Sequence, residues 1–198
     1  MRVDANQLSS YHHGIMVCIN KDGWGATWDT SAFVWTDSRR GMVQKFDLGE
    51  VDHALKGFSD AVRVGRFAYL SPFASDPHTY TSRLVRISLG NTSIVDTFNE
   101  VGAVFRSMVT VLDLAQKDPQ LTGFSGLFNS GKYLYLVPYR SKHEPKNGQR
   151  GSGKMPRVDL NIFDLPGIDV TDMAKSNRNQ IPSFPDEDLR GFSGGFAS

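Results

Sequence analysis

From Leu121 to Tyr139 the chain reads Leu-Thr-Gly-Phe-Ser-Gly-Leu-Phe-Asn-Ser-Gly-Lys-Tyr-Leu-Tyr-Leu-Val-Pro-Tyr. A second copy of this motif runs from Leu55 to Phe73 and aligns with it without a gap. A third copy begins at Leu189 as Leu-Arg-Gly-Phe-Ser-Gly-Gly-Phe. A motif that returns at a long, regular interval is typical of proteins built from stacked supersecondary units, each of which buries its apolar face against a neighbour.

The alternation of residues within the motif predicts two strands joined by a tight turn. In the central copy, aromatic and apolar residues occupy every second position on either side of Gly131. Period two with aromatic enrichment is typical of strands, and a glycine between them supplies the positive φ that a short hairpin needs. We expect Pro72 and Pro138 to end the second strand, because proline cannot donate to a ladder.

Two more strands are predicted in each complete unit. A third follows each hairpin, at 83–89 and at 155–160, and a fourth precedes the next Gly-Phe pair, at 42–48 and at 108–114. Gly57 and Gly123 are 66 residues apart, and the fourth strands keep the same interval. Residues 161–188 are interpreted as an enlarged loop.

Repeated sheets of four short antiparallel strands are typical of the blades of a β-propeller. We therefore predict an all-β, propeller-like repeat of about three blades with an incomplete ring. Residues 1–22 are expected to hold one strand, near Ile15 to Ile19. The repeats are expected to fill residues 23–198, with units at 23–56, 57–122 and 123–190 and the start of a further unit at 191–198.

Residues 23–35 are interpreted as a weaker copy of the hairpin, in a first unit that lacks its third strand. In this alignment Trp24, Trp28 and Trp35 take the places of aromatic residues in the central copy. Aromatic residues at repeated strand positions predict core or inter-blade packing rather than a sugar-binding surface, because buried aromatics dominate such interfaces.

The central motif, together with the preceding Val-Leu-Asp-Leu-Ala-Gln-Lys-Asp-Pro-Gln at 111–120, resembles a propeller-type repeat of uncharacterised proteins, often from algae and other protists. The resemblance covers most of residues 23–198. It implies a propeller-like fold and carries no catalytic residues, so it adds no expectation about an active site.

Composition and charge narrow the classes of function. Twenty-two basic and 21 acidic residues give a net charge of +1, which predicts no specific nucleic-acid partner. No apolar run is long enough to span a bilayer, and no secretory signal is visible, so the sequence leaves the compartment open. Peripheral contact with a membrane complex stays an alternative.

No motif for catalysis, a metal or a cofactor is visible. The five histidines lack ligand spacing, and Gly131-Lys132 lacks the glycine-rich loop of a phosphate site. Ser59 and Ser125 recur at equivalent positions, as do Asp47 and Asp113. Recurrence in successive units favours structural hydrogen bonds over a single active site.

Two segments are candidate partner-binding sites. The first is a basic segment that could contact an anionic partner; its members are Arg140, Lys142, Lys146, Arg150, Lys154 and Arg157. The second is the edge of the unfinished last unit, where an uncovered strand is a pairing surface; its members are Phe192, Ser193, Gly194, Gly195 and Phe196.

These observations predict a non-enzymatic protein-binding or scaffolding domain, an accessory subunit of a larger assembly whose partners are other protein subunits. The alternative is a carbohydrate-binding or carbohydrate-active propeller, a lectin, hydrolase or lyase. That alternative requires an exposed tryptophan beside a pair of carboxylates, for which Asp164, Asp169 and Asp172 are candidates.

Overall fold

The computed structural model describes residues 13–14, 24–29, 43–76, 78–88, 107–140, 152–172, 191–193 and 195. Its strands are β1 His13–Gly14, β2 Trp24–Asp29, β3 Val43–Asp47, β4 Phe58–Val64, β5 Phe67–Pro72, β6 Ala74–Asp76, β7 Thr79–Tyr80, β8 Arg83–Ser88, β9 Val109–Asp113, β10 Phe124–Ser130, β11 Tyr133–Pro138, β12 Lys154–Asp159 and β13 Ile168–Asp172. The predicted strand near Ile15 to Ile19 lies outside the described residues.

These strands form three antiparallel sheets and a two-stranded ribbon. The first sheet has the order β1-β2-β3, the second β4-β5-β8-β9 and the third β10-β11-β12-β13, while β6 pairs with β7. The second and third sheets are meanders, in which each strand pairs with the strand before it in that sheet. The predicted all-β, propeller-like repeat is therefore confirmed, and none of the described sheets closes on itself.

The hairpins of the second and third sheets follow the sequence prediction closely. Gly65 and Gly131 have φ values of 58° and 57°, and the residues that follow them complete a turn between paired strands. Glycine with positive φ at the first turn position matches the twist of the flanking strands. Strands β5 and β11 end at Pro72 and Pro138, as predicted.

A β-bulge recurs near the start of the first strand of each hairpin. The register shifts between Phe58 and Asp60 in β4, and between Phe124 and Gly126 in β10. The residue within each bulge is a serine, whose hydroxyl is directed out of the ladder. The Ser59 hydroxyl donates to the Phe124 carbonyl at 2.8 Å, so the bulge connects the second sheet to the third.

The fourth strands β3 and β9 each end in an aspartate, and each aspartate also caps the short 3-10 helix that follows it. The Asp47 side chain accepts from the Gly49 amide at 2.7 Å, and the Asp113 side chain accepts from the Ala115 amide at 3.1 Å. Both satisfy amides at the start of the following turn. The structural roles predicted for the recurring aspartates and serines are therefore confirmed.

Two β-elements that follow the first sheet were not predicted. Strand β13 lies within the segment interpreted as an enlarged loop, and it completes the third sheet as its fourth strand. Its sequence is short and interrupted by aspartates, so its pairing depends on the neighbouring strand β12. The ribbon β6-β7 is the other, and it turns at Asp76, whose side chain accepts from the His78 amide at 2.9 Å.

The first sheet differs from its predicted alignment. Strand β2 pairs on one side with β1 and on the other with β3, so Trp28 has a neighbour on both sides. Strand β3 begins 66 residues before β9, which is the fourth strand of the second sheet, so β3 is the fourth strand of the first sheet. Strand β2 pairs with β3 and therefore holds the third position in its sheet, not the first. The interpretation of residues 23–35 as a copy of the hairpin is wrong, because aromatic spacing alone cannot distinguish one strand position from another.

The main core lies between the second and third sheets. Tyr69, Leu84 and Leu112 from the second sheet pack with Leu134 and Leu136 from the third. A second cluster, on the opposite side of the second sheet, includes Leu48, Leu55, Phe58, Leu70 and Ile87. Neighbouring sheets thus pack face to face, the arrangement of successive propeller blades.

Candidate functional site on the third sheet

Each complete sheet has a leading face, directed toward the next repeat, and a trailing face. On the second sheet, the leading face includes Tyr69, Leu84 and Leu112, which the third sheet covers. Tyr69 is 1% exposed and Leu84 is fully buried. Burial raises the pKa of the Tyr69 phenol, while the charge of nearby Arg86 acts in the opposite direction.

Arg86 connects the second sheet to the third through aromatic rings. Its guanidinium lies 4.8 Å from the ring centre of Phe67, in its own sheet, and 4.4 Å from that of Phe163, in the third. Phe163 also meets Tyr69 edge to face at 5.5 Å. A cation held between two rings gains from the electrostatic field of both, so this residue helps to orient the two sheets.

The equivalent face of the third sheet carries aromatic residues that are only partly buried. By register, Tyr135 pairs with Arg157 as Tyr69 pairs with Arg86, so these positions correspond. The face includes Phe128, Tyr133, Tyr135 and Met155, all partly exposed. Phe128 and Tyr135 stack in parallel, with ring centres 5.1 Å apart. Where Tyr69 is buried by a following sheet, Tyr135 is not.

Arg157 is stacked on one side and paired with a carboxylate at its edge. Its guanidinium lies 4.4 Å from the Tyr133 ring, and its Nε and one terminal nitrogen donate to Asp169 at 3.0 and 2.9 Å. These hydrogen bonds raise the pKa of the Arg157 guanidinium. Among the described residues, its guanidinium lies over one aromatic ring, whereas that of Arg86 lies over two.

Residues 191–193 and 195 lie along this face. The Phe192 amide donates to the Pro138 carbonyl at 2.9 Å, and the Phe192 carbonyl accepts from the Ser125 hydroxyl at 2.6 Å. The second contact repeats the bond from Ser59 to Phe124. A Cβ added at Gly195 would lie 2.8 Å from the Phe128 ring and 2.9 Å from Val137, so glycine permits the close approach.

A relay of backbone hydrogen bonds joins the three Gly-Phe motifs at one rim. The relay begins at the Gly57 carbonyl and passes through six further residues, and the amide of each one donates to the carbonyl of the previous member of the series at 2.8 to 3.2 Å. The members, in order, are Gly57, Phe73, Thr81, Gly123, Tyr139, Ser152 and Gly191. The three glycines have φ values of 75°, 69° and 66°. Gly191 therefore occupies the position at which each preceding sheet begins.

The basic segment is divided by the structure. Lys154 pairs with Asp118, and Arg157 pairs with Asp169, so both are engaged within the chain. Arg140 lies 5.3 Å from the Tyr139 ring and donates to the Tyr80 hydroxyl at 3.4 Å. The other three, Lys142, Lys146 and Arg150, lie outside the described residues. An anion-binding role for the segment stays a prediction.

The pairing of Lys154 with Asp118 has an internal counterpart. Arg83, which like Lys154 begins the third strand of its sheet, pairs with Asp52. Asp52 and Asp118 also accept from amides two residues ahead, both at 2.9 Å. The recurrence indicates that Lys154 belongs to a structural pair.

The predicted edge at the last unit is described in part. Phe192 is partly exposed, and Ser193 and Gly195 are exposed. Gly194 and Phe196 lie outside the described residues. The segment packs on the third sheet, but no strand pairs with it among the residues that the structure describes.

The carboxylates considered for sugar chemistry serve separate local roles. Asp164 accepts from the Gly167 amide at 3.0 Å, and Asp169 binds Arg157. Within the described residues no three His, Cys, Asp or Glu side chains form a possible metal site. Trp35 and the side chains of Trp24 and Trp28 lie outside what the structure describes, so the sugar alternative stays untested.

Asp159 predicts a stability that depends on acid pH. The Lys132 ammonium at 2.8 Å and the Asn161 amide at 3.0 Å hold the pKa of this carboxyl below its ordinary value of 3.8. A depressed pKa stabilises the fold above the unfolded value, and this contribution is lost as the pH falls through the folded value. Asp159→Asn should therefore make the Tm less sensitive to pH below about 4.

The measurement is thermal unfolding of the wild type and variant across this range. Lys132→Met serves as a control, because it removes the main cause of the lowered pKa and leaves the carboxyl in place. It should also reduce the acid sensitivity. If the Tm of all three proteins fell equally with pH, Asp159 would not be the source of the acid sensitivity.

The sheets and their repeated contacts define a class: an all-β, propeller-like repeat protein. In the part of the chain that the structure describes, no helix is long and apolar enough to cross a membrane. No family model matches the sequence, and no curated protein matches it. A crystal structure of the hemopexin-fold protein CP4 from cow pea is similar at 13% identity and a TM-score of 0.38, over 96% of this chain and 74% of that one.

Proposed function

We propose that this protein is a non-enzymatic protein-binding or scaffolding domain, an accessory subunit of a larger assembly. The observation that supports this is the leading face of the third sheet. Its equivalent on the second sheet is buried by a following sheet, whereas Phe128, Tyr133 and Tyr135 stay partly exposed. Aromatic residues on a preformed surface are the usual anchors of protein interfaces.

The chemistry of the face favours a protein as the occupant. Stacked rings and Met155 offer apolar contact, and Arg157 offers a planar cation at the rim. Tyrosine, methionine and arginine are enriched in protein interfaces. The resemblance to an uncharacterised repeat family is compatible with this function, and membership of that family stays a proposal.

Affinity capture from the native source tests the function. We expect the wild-type chain to recover one or more proteins in a fixed ratio, and Tyr135→Asp to lose them, because a charge on this face prevents burial. Ile162→Asp is the matched control, since Ile162 is an apolar residue that is 54% exposed and lies outside the strands that form this face. Reciprocal capture should recover this chain.

Two results would oppose the proposal. The first is a wild-type chain that recovers no protein in a fixed ratio. The second is equal recovery by Tyr135→Asp and the wild type, which would place the binding surface elsewhere. Far-UV circular dichroism of each variant establishes that a loss of binding is not a loss of folding.

A further inference from the structure

We infer that β9, the outermost strand of the second sheet, pairs antiparallel with β9 of a second copy of this chain, so that two four-stranded sheets join into one continuous sheet. This self-association goes beyond the proposed function, because it uses a different sheet from the aromatic face. Its basis is an exposed apolar strand edge whose backbone and side chains both fit a second copy of the same strand.

The outer edge of β9 presents backbone hydrogen-bonding groups. Among the described strands, β9 pairs with β8 alone and ends the second sheet. The Leu114 amide donates to the Ser82 carbonyl at 3.1 Å, and this bond fixes the alternation of the ladder between the two strands. By that alternation, Val109 and Val111 direct their N–H and C=O groups away from β8. An added extended strand can pair with these groups.

Val111 is the exposed end of a buried apolar row. The register places Ala61, Leu70, Val85 and Val111 side by side across the four strands of the second sheet. Leu70 and Val85 are fully buried in the cluster on the trailing side, whereas Val111 is 40% exposed. In the part of the chain that the structure describes, the other exposed large hydrophobic residue is Ile162. A strand added beyond β9 would remove apolar surface of Val111 from water, which is favourable.

The two other outermost strands carry charged residues where β9 carries none. Strands β3, β9 and β13 all end in aspartate, and two residues before it they have Lys45, Val111 and Val170. Strand β13 also carries Asp169, and its Val170 packs against the main core. Charged residues on an outer strand oppose pairing with another chain. Residues 107–112, by contrast, include no charged residue.

A second copy fits this edge about a two-fold axis through Val111. In that register Val111 lies opposite its own counterpart, Val109 lies opposite Asp113, and the outward backbone groups of the two strands meet. The buried apolar row of one chain then continues across the axis into the row of the other. The Asp113 carboxylate already accepts from the Ser82 hydroxyl at 2.6 Å, so its charge is stabilised at the end of the strand.

Symmetry favours a second copy over an unrelated strand. The same uncharged side chains lie on both sides of the axis, so no like charges face each other. Symmetric pairing of β3 about Lys45 would instead place two lysines directly opposite, which is destabilising. Closed two-fold dimers are the commonest homo-oligomers, and pairing of this kind uses the β9 edge of both chains.

Sedimentation equilibrium of the purified full chain, whose monomer mass is 22.0 kDa, tests the inference. The wild type should show a monomer–dimer equilibrium. Val111→Lys, which introduces the residue found in β3, should raise the dissociation constant at least about 30-fold, because like charges juxtaposed at an interface oppose association. Ile162→Lys is the matched control and should leave the constant unchanged. A monomeric wild type, or equal constants for the wild type and Val111→Lys, would overturn the inference.

Disulfide trapping tests the register independently, even if Val111→Lys fails to fold. Cys18 is the one cysteine of the sequence, so a Cys18→Ser background contains only the introduced thiol. Opposed residues of a hydrogen-bonded antiparallel pair have Cα atoms about 5.5 Å apart, which suits a disulfide. Val111→Cys in this background should give a covalent dimer when an oxidant is added, as measured by non-reducing electrophoresis.

Val109→Cys is the control for the register. Its counterpart in the second copy lies four residues farther along the paired strand, too far for a disulfide. Equal yields of covalent dimer from Val109→Cys and Val111→Cys, or no dimer from Val111→Cys, would contradict pairing through β9.

The aromatic face of the third sheet separates this inference from the proposed function. Tyr135→Asp should abolish capture of other proteins and leave the dissociation constant of the dimer unchanged. A dimer that Tyr135→Asp dissociates and Val111→Lys does not would overturn pairing through β9. A monomeric wild type that still captures other proteins through Tyr135 overturns this inference and leaves the proposed function in place.

Discussion

Gly123→Ala is expected to lower the free energy of unfolding by about 2 to 5 kcal/mol. Gly123 has a φ of 69°, and a Cβ there would lie 2.2 Å from the Arg140 carbonyl oxygen and 2.8 Å from the Tyr80 ring. The left-handed conformation costs an L residue about 1 to 2 kcal/mol, and the clash adds to it. The obstructing oxygen belongs to the backbone, so it cannot move aside without disturbing the relay that joins the sheets.

Gly131→Ala provides the matched control for this prediction. Gly131 has a φ of 57°, but nothing lies within 4 Å of the added Cβ. We therefore expect only the conformational cost, about 1 to 2 kcal/mol. Urea unfolding of the two variants and the wild type measures the difference. Equal losses would show that the close approach at Gly123 contributes nothing.

The sequence allowed prediction of each strand whose position was fixed by a repeated motif. The glycines of the hairpin turns, the prolines at strand ends and the interval of 66 residues together placed the second sheet and most of the third. Each of these features acts locally, through backbone geometry. Such features can be read without knowing what the strand packs against.

The first sheet was misplaced because its evidence was aromatic spacing alone. Trp24 and Trp28 fit the positions of Phe124 and Phe128, yet β2 corresponds to β12. The better signal was Asp29 followed by Phe33, which repeats Asp159 followed by Phe163. An aspartate at a strand end with an aromatic four residues later is a more specific pattern than alternating rings.

The candidate site escaped prediction for a different reason. The aromatics at Tyr133 and Tyr135 were assigned to packing because their equivalents recur in each unit, and that assignment is correct for Tyr69. The difference is that a following sheet covers the second sheet, whereas no sheet among the described residues covers the third. The sequence of the strand itself does not show this. Burial of a repeated position depends on its neighbour in the row, so the last complete repeat must be considered separately.

Leu134→Ala is expected to lower the free energy of unfolding by about 2 to 5 kcal/mol. Leu134 is fully buried in the cluster between the second and third sheets, beside residues of both. Shortening it removes apolar contacts and leaves a cavity, because the paired strands on either side limit collapse. The loss should therefore appear as weakened docking of the third sheet on the second.

The loss of stability expected from Leu134→Ala is specific to the third sheet. At the equivalent position of the second sheet the natural residue is Ala68, and Leu70 and Ile87 complete the cluster there. Ile162→Ala is the control, since at 54% exposure it should change stability by less than about 0.5 kcal/mol. Chemical denaturation followed by tyrosine fluorescence measures both. If Leu134→Ala were as mild as Ile162→Ala, the second and third sheets would not share the core that the structure shows between them.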